Sequence, residues 1–161
     1  MFTKIIGVIF IFCLGSTICF AQNRIIVSKE RLKLYVLNSN NDTLYSMPCS
    51  VGLNKGDKKI EGDKKTPEGV FSVTDIHDSN KWTHDFNDGA GEREGAYGPW
   101  FIRLETAPFT GIGIHGTCFP ESTGTRSSNG CIRLKNEDVT RLVRLVKKGT
   151  KVYIEKDSSN I

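Results

Sequence analysis

One histidine and two cysteines lie close together in the stretch GIGIHGTCFPESTGTRSSNGCIRL, residues 111–134. One imidazole with two thiols can serve three kinds of chemistry: a disulfide between Cys118 and Cys131, a zinc site that adds His115, or a cysteine nucleophile with its base. The thiols form no CxxC pair and no fourth ligand is near, which argues against zinc. A disulfide would leave His115 without a role. The pattern therefore favours the nucleophile and leaves the disulfide open.

The nucleophile hypothesis centres on Cys131, which directly follows Gly130 in SSNGC. Glycine lets the backbone turn sharply, so the N–H groups of Gly130 and Cys131 could face an acyl oxygen as an oxyanion hole. A thiol attacks well only as a thiolate, which requires a nearby base or cation. The candidates are His115, which is expected at a strand end beside flexible Gly116, and Arg133.

Local patterns predict a mostly β domain with one main helix around this stretch. Segment 24–38 holds two predicted strands, and single strands are predicted within 43–52, 70–76, 100–106, 111–116 and 151–155. The lysine-rich stretch 54–69 is predicted to be a solvated loop, and 77–98 an irregular but packed loop that lines a cleft. One helix is predicted after Asn136, which would be its cap, with its last lysines at 147–148 and Gly149 past its end.

The first 21 residues have the pattern of a signal peptide: Lys4, an apolar run over 5–20, and then Ala21. The run is short for a membrane span, which favours cleavage over a retained anchor. Residues 22–161 are enough for a single domain with its own core. The formal net charge falls from +4 to +3 because Lys4 is the only charged residue removed. We expect an exported protein of the periplasm or cell envelope, without stable membrane insertion after cleavage.

The remaining cysteine and the two remaining histidines are predicted to have no catalytic role. Cys49 makes the number of cysteines after residue 21 odd, so at least one thiol stays unpaired within the chain, and Cys49 itself is predicted to be buried. His77 and His84 are predicted to be loop histidines without catalytic roles. No basic run with interleaved aromatic residues indicates nucleic acid. The sequence indicates no oligomeric state.

Several motifs surround the histidine and the cysteine. They are HG at 115–116, SxGCIRL at 128–134, GDKKTPEG at 62–69, YGPWF at 97–101 and GTKV at 149–152. Together they resemble the L,D-transpeptidase catalytic domain, the YkuD-type family of cell-wall cross-linking enzymes. The resemblance extends over about 25–154 and is most specific at the His…Ser-x-Gly-Cys core. The resemblance implies that residues 22–161 form a single L,D-transpeptidase-like catalytic domain.

The resemblance implies a β-sandwich of mixed sheets and a cysteine mechanism on peptidoglycan stem peptides, without metal or cofactor. Cys131 would be the nucleophile, His115 its general base and later acid, and Gly116 would orient the imidazole through its carbonyl. Arg133 and Ser128 would shape the donor site. The thiolate would attack the carbonyl of the third stem residue, release D-alanine and leave a thioester, which an acceptor amine would resolve into a cross-link.

Other outcomes share the first half of that reaction. Water in place of the amine would make the protein an L,D-carboxypeptidase, and a wall-linked lipoprotein as substrate would make it a releasing hydrolase. A non-catalytic wall-binding module with a Cys118–Cys131 disulfide is the alternative from another class. Asn129 stands where this family often has histidine. If that side chain helps to bind substrate, this protein would differ from its relatives in its preference for the donor peptide. Cys118 is not a family requirement, and a bridge from it to Cys131 would shut the site.

Overall fold

The computed structural model describes residues 22–157, so the predicted signal peptide, 1–21, lies outside the described residues. The strands are β1 (Arg24–Ser28), β2 (Lys33–Leu37), β3 (Thr43–Pro48), β4 (Val51–Gly52), β5 (Gly69–Asp78), β6 (Thr83–Asp85), β7 (Glu92–Glu94), β8 (Trp100–Leu104), β9 (Gly113–His115), β10 (Arg126–Ser128), β11 (Ile132–Arg133) and β12 (Lys151–Ile154). The helix α1 is Asn136–Leu142, and a short 3-10 helix spans Pro120–Ser122. Each segment predicted to be a strand contains one.

Eight strands form one sheet in the order β11-β9-β8-β5-β12-β1-β2-β3, beside two-stranded sheets β10-β4 and β6-β7. The pairs β1–β12 and β9–β11 are parallel, and the other neighbours in the large sheet are antiparallel. The predicted fold class, mostly β with one helix and mixed strand pairing, is confirmed. Within residues 22–157 no helix has the length and apolar character needed to cross a membrane.

The core lies on the face of the sheet that α1 covers. Successive strand residues point to opposite faces, so alternate apolar residues reach the same side. The fully buried members include Ile25, Val27, Leu34, Val36, Ile114, Ile132, Val139, Leu142 and Val152. Burying an aliphatic side chain of this size stabilises a fold by about 1.5–3 kcal/mol. The core therefore fixes β9 and β11, the two short strands that matter most for the site.

The helix is shorter than predicted and is capped differently. It ends at Leu142, not near 149, and its N-cap is Lys135, whose side chain makes no capping bond. After Leu142 the chain tightens into turns, with the Arg144 N–H donating to the Arg141 carbonyl. The Asn136 side chain is not free to cap because its Oδ1 accepts a hydrogen bond from the Thr117 N–H at 2.8 Å. A long-range contact has replaced the local one that the sequence suggests.

The 77–98 segment is more regular than predicted. β5 continues to Asp78 along β8, and the two-stranded sheet β6–β7 forms within the segment. His77 and His84 therefore lie on strands, not on a loop. The prediction that the segment is packed is confirmed, because the Trp82 ring lies 5.9 Å from Tyr97 and 5.5 Å from Phe101, between ring centroids. Tyr97 extends from this aromatic cluster into the wall of the site.

Candidate active site

The parallel register of β9 and β11 brings the predicted catalytic residues to one place. His115 pairs with Arg133, and Ile114 with Ile132. Both isoleucines are fully buried in the core, so the flanking residues of each strand point to the opposite face. Cys131 comes two residues before Arg133 and shares its face. Residues that are sixteen positions apart in the chain thus meet across one strand pair.

These side chains line a cavity of about 390 Å³. Its lining includes His115, Ser128, Asn129, Cys131 and Arg133 from the predicted site, together with Lys58, His84 and Tyr97. His84 was not predicted to lie here, and its Nδ1 is 3.2 Å from the Tyr97 hydroxyl. The only sequence signal for it was its position in a long segment rich in aromatic residues.

The His115 ring is held by three neighbours. It stacks on Phe101 with centroids 5.3 Å apart and planes 9° apart, and it meets Tyr97 edge-on at 5.0 Å. Its Nδ1 lies 2.6 Å from the carbonyl oxygen of Gly116. A carbonyl only accepts hydrogen bonds, so Nδ1 must carry the proton. In the neutral ring, Nε2 is then the basic nitrogen.

Burial lowers the pKa of His115 to about 3. The hydrogen bond to the Gly116 carbonyl opposes this shift, while the nearby charge of Arg133 adds to it. His115 is 3% exposed, so little solvent is available to stabilise an imidazolium. The imidazole is therefore neutral at pH 7 and in the form that can accept a proton.

The Cys131 thiol lies within reach of two backbone groups, one at Gly111 and one at the start of β9. Its S–H donates to the Gly111 carbonyl at 3.3 Å. Burial raises the pKa of the Cys131 thiol, and the Gly113 N–H and the Arg133 charge oppose that rise without cancelling it. The resting site is consequently a neutral thiol in the same cavity as a neutral imidazole, not an ion pair. Thiolate forms only when a base removes the proton.

All three cysteines within residues 22–157 are free thiols. Cys118 and Cys131 are half-buried, and the alternative disulfide between them is not formed. Cys49 is fully buried, as predicted, and burial raises its pKa to about 12. A thiol of that kind is inert, and of the two half-buried thiols it is Cys131 that lines the cavity with His115.

The turn before Cys131 differs from prediction in one respect. The Gly130 N–H donates to the Ser128 hydroxyl at 3.0 Å, and that hydroxyl donates to the Cys131 carbonyl at 2.6 Å. Ser128 thus holds the turn together. The Gly130 N–H is occupied by this bond within the turn and is not free to bind an acyl oxygen. This leaves the Cys131 N–H as the candidate oxyanion donor of the pair.

Arg133 places an uncompensated charge beside the thiol. Its guanidinium lies 5.9 Å from the centroid of the Phe86 ring and makes no ion pair with the carboxylates of residues 22–157. Burial lowers its pKa, although arginine stays charged at neutral pH. A half-buried guanidinium without a carboxylate partner is a suitable site for an anionic group of a ligand.

The loop 54–68 supports the nucleophile turn from the other side. The Thr66 hydroxyl accepts from the Gly52 N–H at 2.8 Å and donates to the Gly130 carbonyl at 2.9 Å. A Cβ on Gly130 would lie 2.9 Å from the Lys65 carbonyl oxygen, and its φ is +138°, so glycine is required there. Lys58, expected in solvent, is 3% exposed because it pairs with a carboxylate of the same loop.

No metal site accompanies this arrangement in the described part of the chain, where no three His, Cys, Asp or Glu side chains form a cluster that could hold an ion.

A family model for the L,D-transpeptidase catalytic domain, YkuD, matches residues 22–154. The chain belongs to this family. Among curated L,D-transpeptidases of Bacillus subtilis, "Putative L,D-transpeptidase YqjB" is 36% identical over 113 residues, which cover 63% of this chain and 64% of the relative. "Putative L,D-transpeptidase YkuD" is 32% identical, with coverage of 77% and 61%. The chain thus spans less than two thirds of the length of these relatives.

Solved structures show the same L,D-transpeptidase fold. The enzyme from Mycobacterium smegmatis matches with a TM-score of 0.61 at 20% identity, over 84% of this chain and 59% of that one. The catalytic domain of the E. faecium L,D-transpeptidase matches at 0.59 and 22% identity, over 84% and 98%. The helical cell shape determining protein Pgp2 of Campylobacter jejuni matches at 0.61 and 27% identity, over 85% and 49%. The resemblance found in the motifs is confirmed.

Proposed function

We propose that this protein is a peptidoglycan L,D-transpeptidase with Cys131 as its nucleophile. The observation that carries the proposal is the β9–β11 register, which places a neutral, carbonyl-anchored imidazole and a half-buried thiol in one cavity. Family membership supplies the substrate class, peptidoglycan stem peptides. The unpaired guanidinium of Arg133 supports an anionic donor, since stem peptides carry carboxylates.

The first half-reaction begins with proton transfer from the Cys131 thiol to Nε2 of His115. The sulfur then attacks the carbonyl carbon of the third stem residue, and a C–S bond forms. The C–N bond to D-alanine breaks while the imidazolium gives its proton to the leaving amine. Because burial disfavours the charged imidazolium, it returns the proton readily. The product is a thioester on Cys131.

The second half-reaction consumes the thioester. An amine of another stem attacks, loses a proton to His115 and forms the cross-linking amide, while the thiol is regenerated. The thioester conserves the acyl energy of the peptide bond that was cut, so no nucleotide is needed. The Cys131 N–H would stabilise the oxyanion in both halves, and Ser128 would hold that N–H in place through its bond to the Cys131 carbonyl.

The proposal is tested by incubating the processed protein with a purified disaccharide tetrapeptide under reducing conditions, followed by product mass spectrometry. We expect loss of D-alanine with dimer formation. Cys131→Ala should lower the rate at least about a thousandfold, as loss of a covalent nucleophile does. Cys118→Ala is the matched control, because it removes another half-buried thiol, and should leave the rate unchanged.

Other results of this experiment would redirect the proposal. A monomeric tripeptide as sole product would establish the carboxypeptidase, and the releasing hydrolase would act on a wall-linked lipoprotein but not on the tetrapeptide. Equal activity of Cys131→Ala and the unaltered protein would overturn the role of Cys131. Binding of wall polymer without any conversion would favour the non-catalytic module.

We also propose that the protein acts in the cell envelope after removal of residues 1–21. Mass spectrometry of the N-terminal peptide from envelope fractions should then begin at Gln22. An N-terminal peptide that retains the apolar run over 5–20 would contradict this and indicate an anchored protein.

A further inference from the structure

We propose that Asn136 is a positioning residue for His115 and that it acts through a single peptide bond. This inference rests on the proposed function, because it assigns Asn136 a part in preparing the general base. Asn136 is the first residue of α1 and is remote in sequence from His115. Two hydrogen bonds connect them, one on each side of the peptide that joins Gly116 to Thr117.

The connection depends on the geometry of the peptide unit. The carbonyl of Gly116 accepts from His115 Nδ1 at 2.6 Å, and the N–H of Thr117 donates to Asn136 Oδ1 at 2.8 Å. This carbonyl and this N–H belong to the same planar peptide, in which they point in opposite directions. An acceptor that holds the N–H therefore also aims the carbonyl at the imidazole.

The contact is closely fitted. A Cβ on Gly98 or on Gly116 would lie 2.3 Å from Asn136 Oδ1. Gly98 also has a φ of +63°, a conformation that favours glycine. The glycines of two motifs, YGPWF and HG, thus leave the space that the Asn136 oxygen occupies. Any side chain at either position would displace it.

A purely structural role explains less of this arrangement. The Asn136 oxygen does not cap its own helix, and the residue is exposed, so it contributes little to the core. The oxygen is committed instead to a segment nineteen residues earlier in the chain. That segment contains the Gly116–Thr117 peptide, whose carbonyl accepts the hydrogen bond from His115.

Aromatic packing alone does not fix the orientation of the His115 ring, and the hydrogen bond from Nδ1 does. Stacking on Phe101 fixes the plane of the ring, but a half-turn of the ring about its Cβ–Cγ bond keeps the same stacking. The hydrogen bond to the Gly116 carbonyl, which is the one that the His115 ring makes within the described residues, distinguishes the two orientations and keeps the proton on Nδ1. Donation to Asn136 also polarises the peptide, which makes that carbonyl a better acceptor. Asn136 therefore favours the tautomer with a basic Nε2.

The test compares Asn136→Ala, Asn136→Asp and Glu137→Ala in the processed protein. Asn136→Ala removes the acceptor, Asn136→Asp keeps one, and Glu137→Ala is the control at the adjacent exposed helix position. The readouts are kcat and KM for D-alanine release, nitrogen-15 NMR of the His115 tautomers, and the melting temperature. For Asn136→Ala we expect kcat to fall about fivefold to tenfold, the size of one lost neutral hydrogen bond, with KM unchanged.

In the same variant the proportion of His115 with its proton on Nε2 should rise, while Asn136→Asp and Glu137→Ala keep unaltered kcat and tautomer ratios. Wild-type kcat and tautomers in Asn136→Ala would overturn the inference. Equal losses of kcat and melting temperature in Asn136→Ala and Asn136→Asp would also overturn it, in favour of a structural role. Absence of D-alanine release from every variant would refute the proposed function instead, and the tautomer spectra would still decide the link between Asn136 and His115.

Discussion

Cys131 and His115 are both neutral at rest, so the thiol must give its proton to the imidazole before it can attack. Many reactive cysteines are thiolates at neutral pH because a cation or helix end lowers their pKa. Here burial raises the pKa of Cys131 and lowers that of His115, so the pair is neutral at rest. Nucleophile and base are activated together, when the proton moves between them. Such a site spares the thiol from oxidants, which react with thiolates.

This neutral resting state predicts a high pH for alkylation of Cys131. In Cys118→Ala, the rate of modification by iodoacetamide should rise with pH through a midpoint above 9, because the raised pKa keeps the thiol protonated below it. The measurement is mass spectrometry of the alkylated protein over a pH series. Cys118→Ala/Cys131→Ala gives the background from Cys49. A midpoint below 7 would show a thiolate–imidazolium pair and contradict the neutral state.

At the scale of elements, the site is held between the β9–β11 pair and the loop 54–68. The loop is anchored away from the cavity by Lys29, which is 1% exposed and pairs with Glu68 at 2.7 Å and with Asp157 at 3.0 Å. Breaking a buried pair of this kind leaves an uncompensated charge. The loop therefore has a fixed position from which Thr66 can support the nucleophile turn.

Thr66 offers a test of that support. Thr66→Val keeps the shape of the side chain but leaves the Gly52 N–H and the Gly130 carbonyl without their shared partner, and Thr66 is buried. We expect the free energy of unfolding to fall by about 1–3 kcal/mol, the cost of unsatisfied buried polar groups. D-alanine release should fall as well, because the turn that carries Cys131 loses its contact.

Urea denaturation and the D-alanine assay measure the two effects of Thr66→Val. Thr66→Ser keeps the hydroxyl and should retain most of the activity. If Thr66→Val matched the unaltered protein in both assays, the loop would be a neighbour of the site without supporting it.

At the scale of the whole molecule, burial of His115 links the stability of the domain to pH. The folded-state pKa is about 3, below the ordinary value of 6.5, so the unfolded chain binds a proton first as pH falls. Stability from this group is complete above pH 6.5 and is lost as pH falls towards 3. The loss should reach about 2 kcal/mol by pH 5.

His115→Gln removes this titration and serves as the comparison. Unfolding free energies from urea denaturation at pH 7, 6 and 5 should decline more steeply in the unaltered protein than in His115→Gln. Parallel declines would mean that His115 is protonated in the folded state at pH 5, which the buried, carbonyl-bonded imidazole does not allow.

The sequence alone predicted the longer strands, the mostly β class and the family, and it singled out His115 and Cys131 as candidates, but it missed the short strands β6, β7, β10 and β11. These predictions depend on local alternation of apolar residues and on short motifs, which can be read within a few neighbouring positions. Its failures came from hydrogen-bond partners that the sequence did not indicate. Asn136 accepts from distant Thr117 instead of capping its helix, and the Gly130 N–H donates to nearby Ser128 instead of staying free for an acyl oxygen.

Only the tertiary structure decided which residues share the cavity. The β9–β11 register sets His115 opposite Arg133, and the folding of the 77–98 segment brings His84 to the wall. Burial then sets the protonation states, since a pKa depends on the spatial surroundings of a group, which the local sequence does not specify. Residue types specify which chemistry is possible here, and long-range packing specifies which groups can perform it, because hydrogen bonds and solvent exclusion act through space.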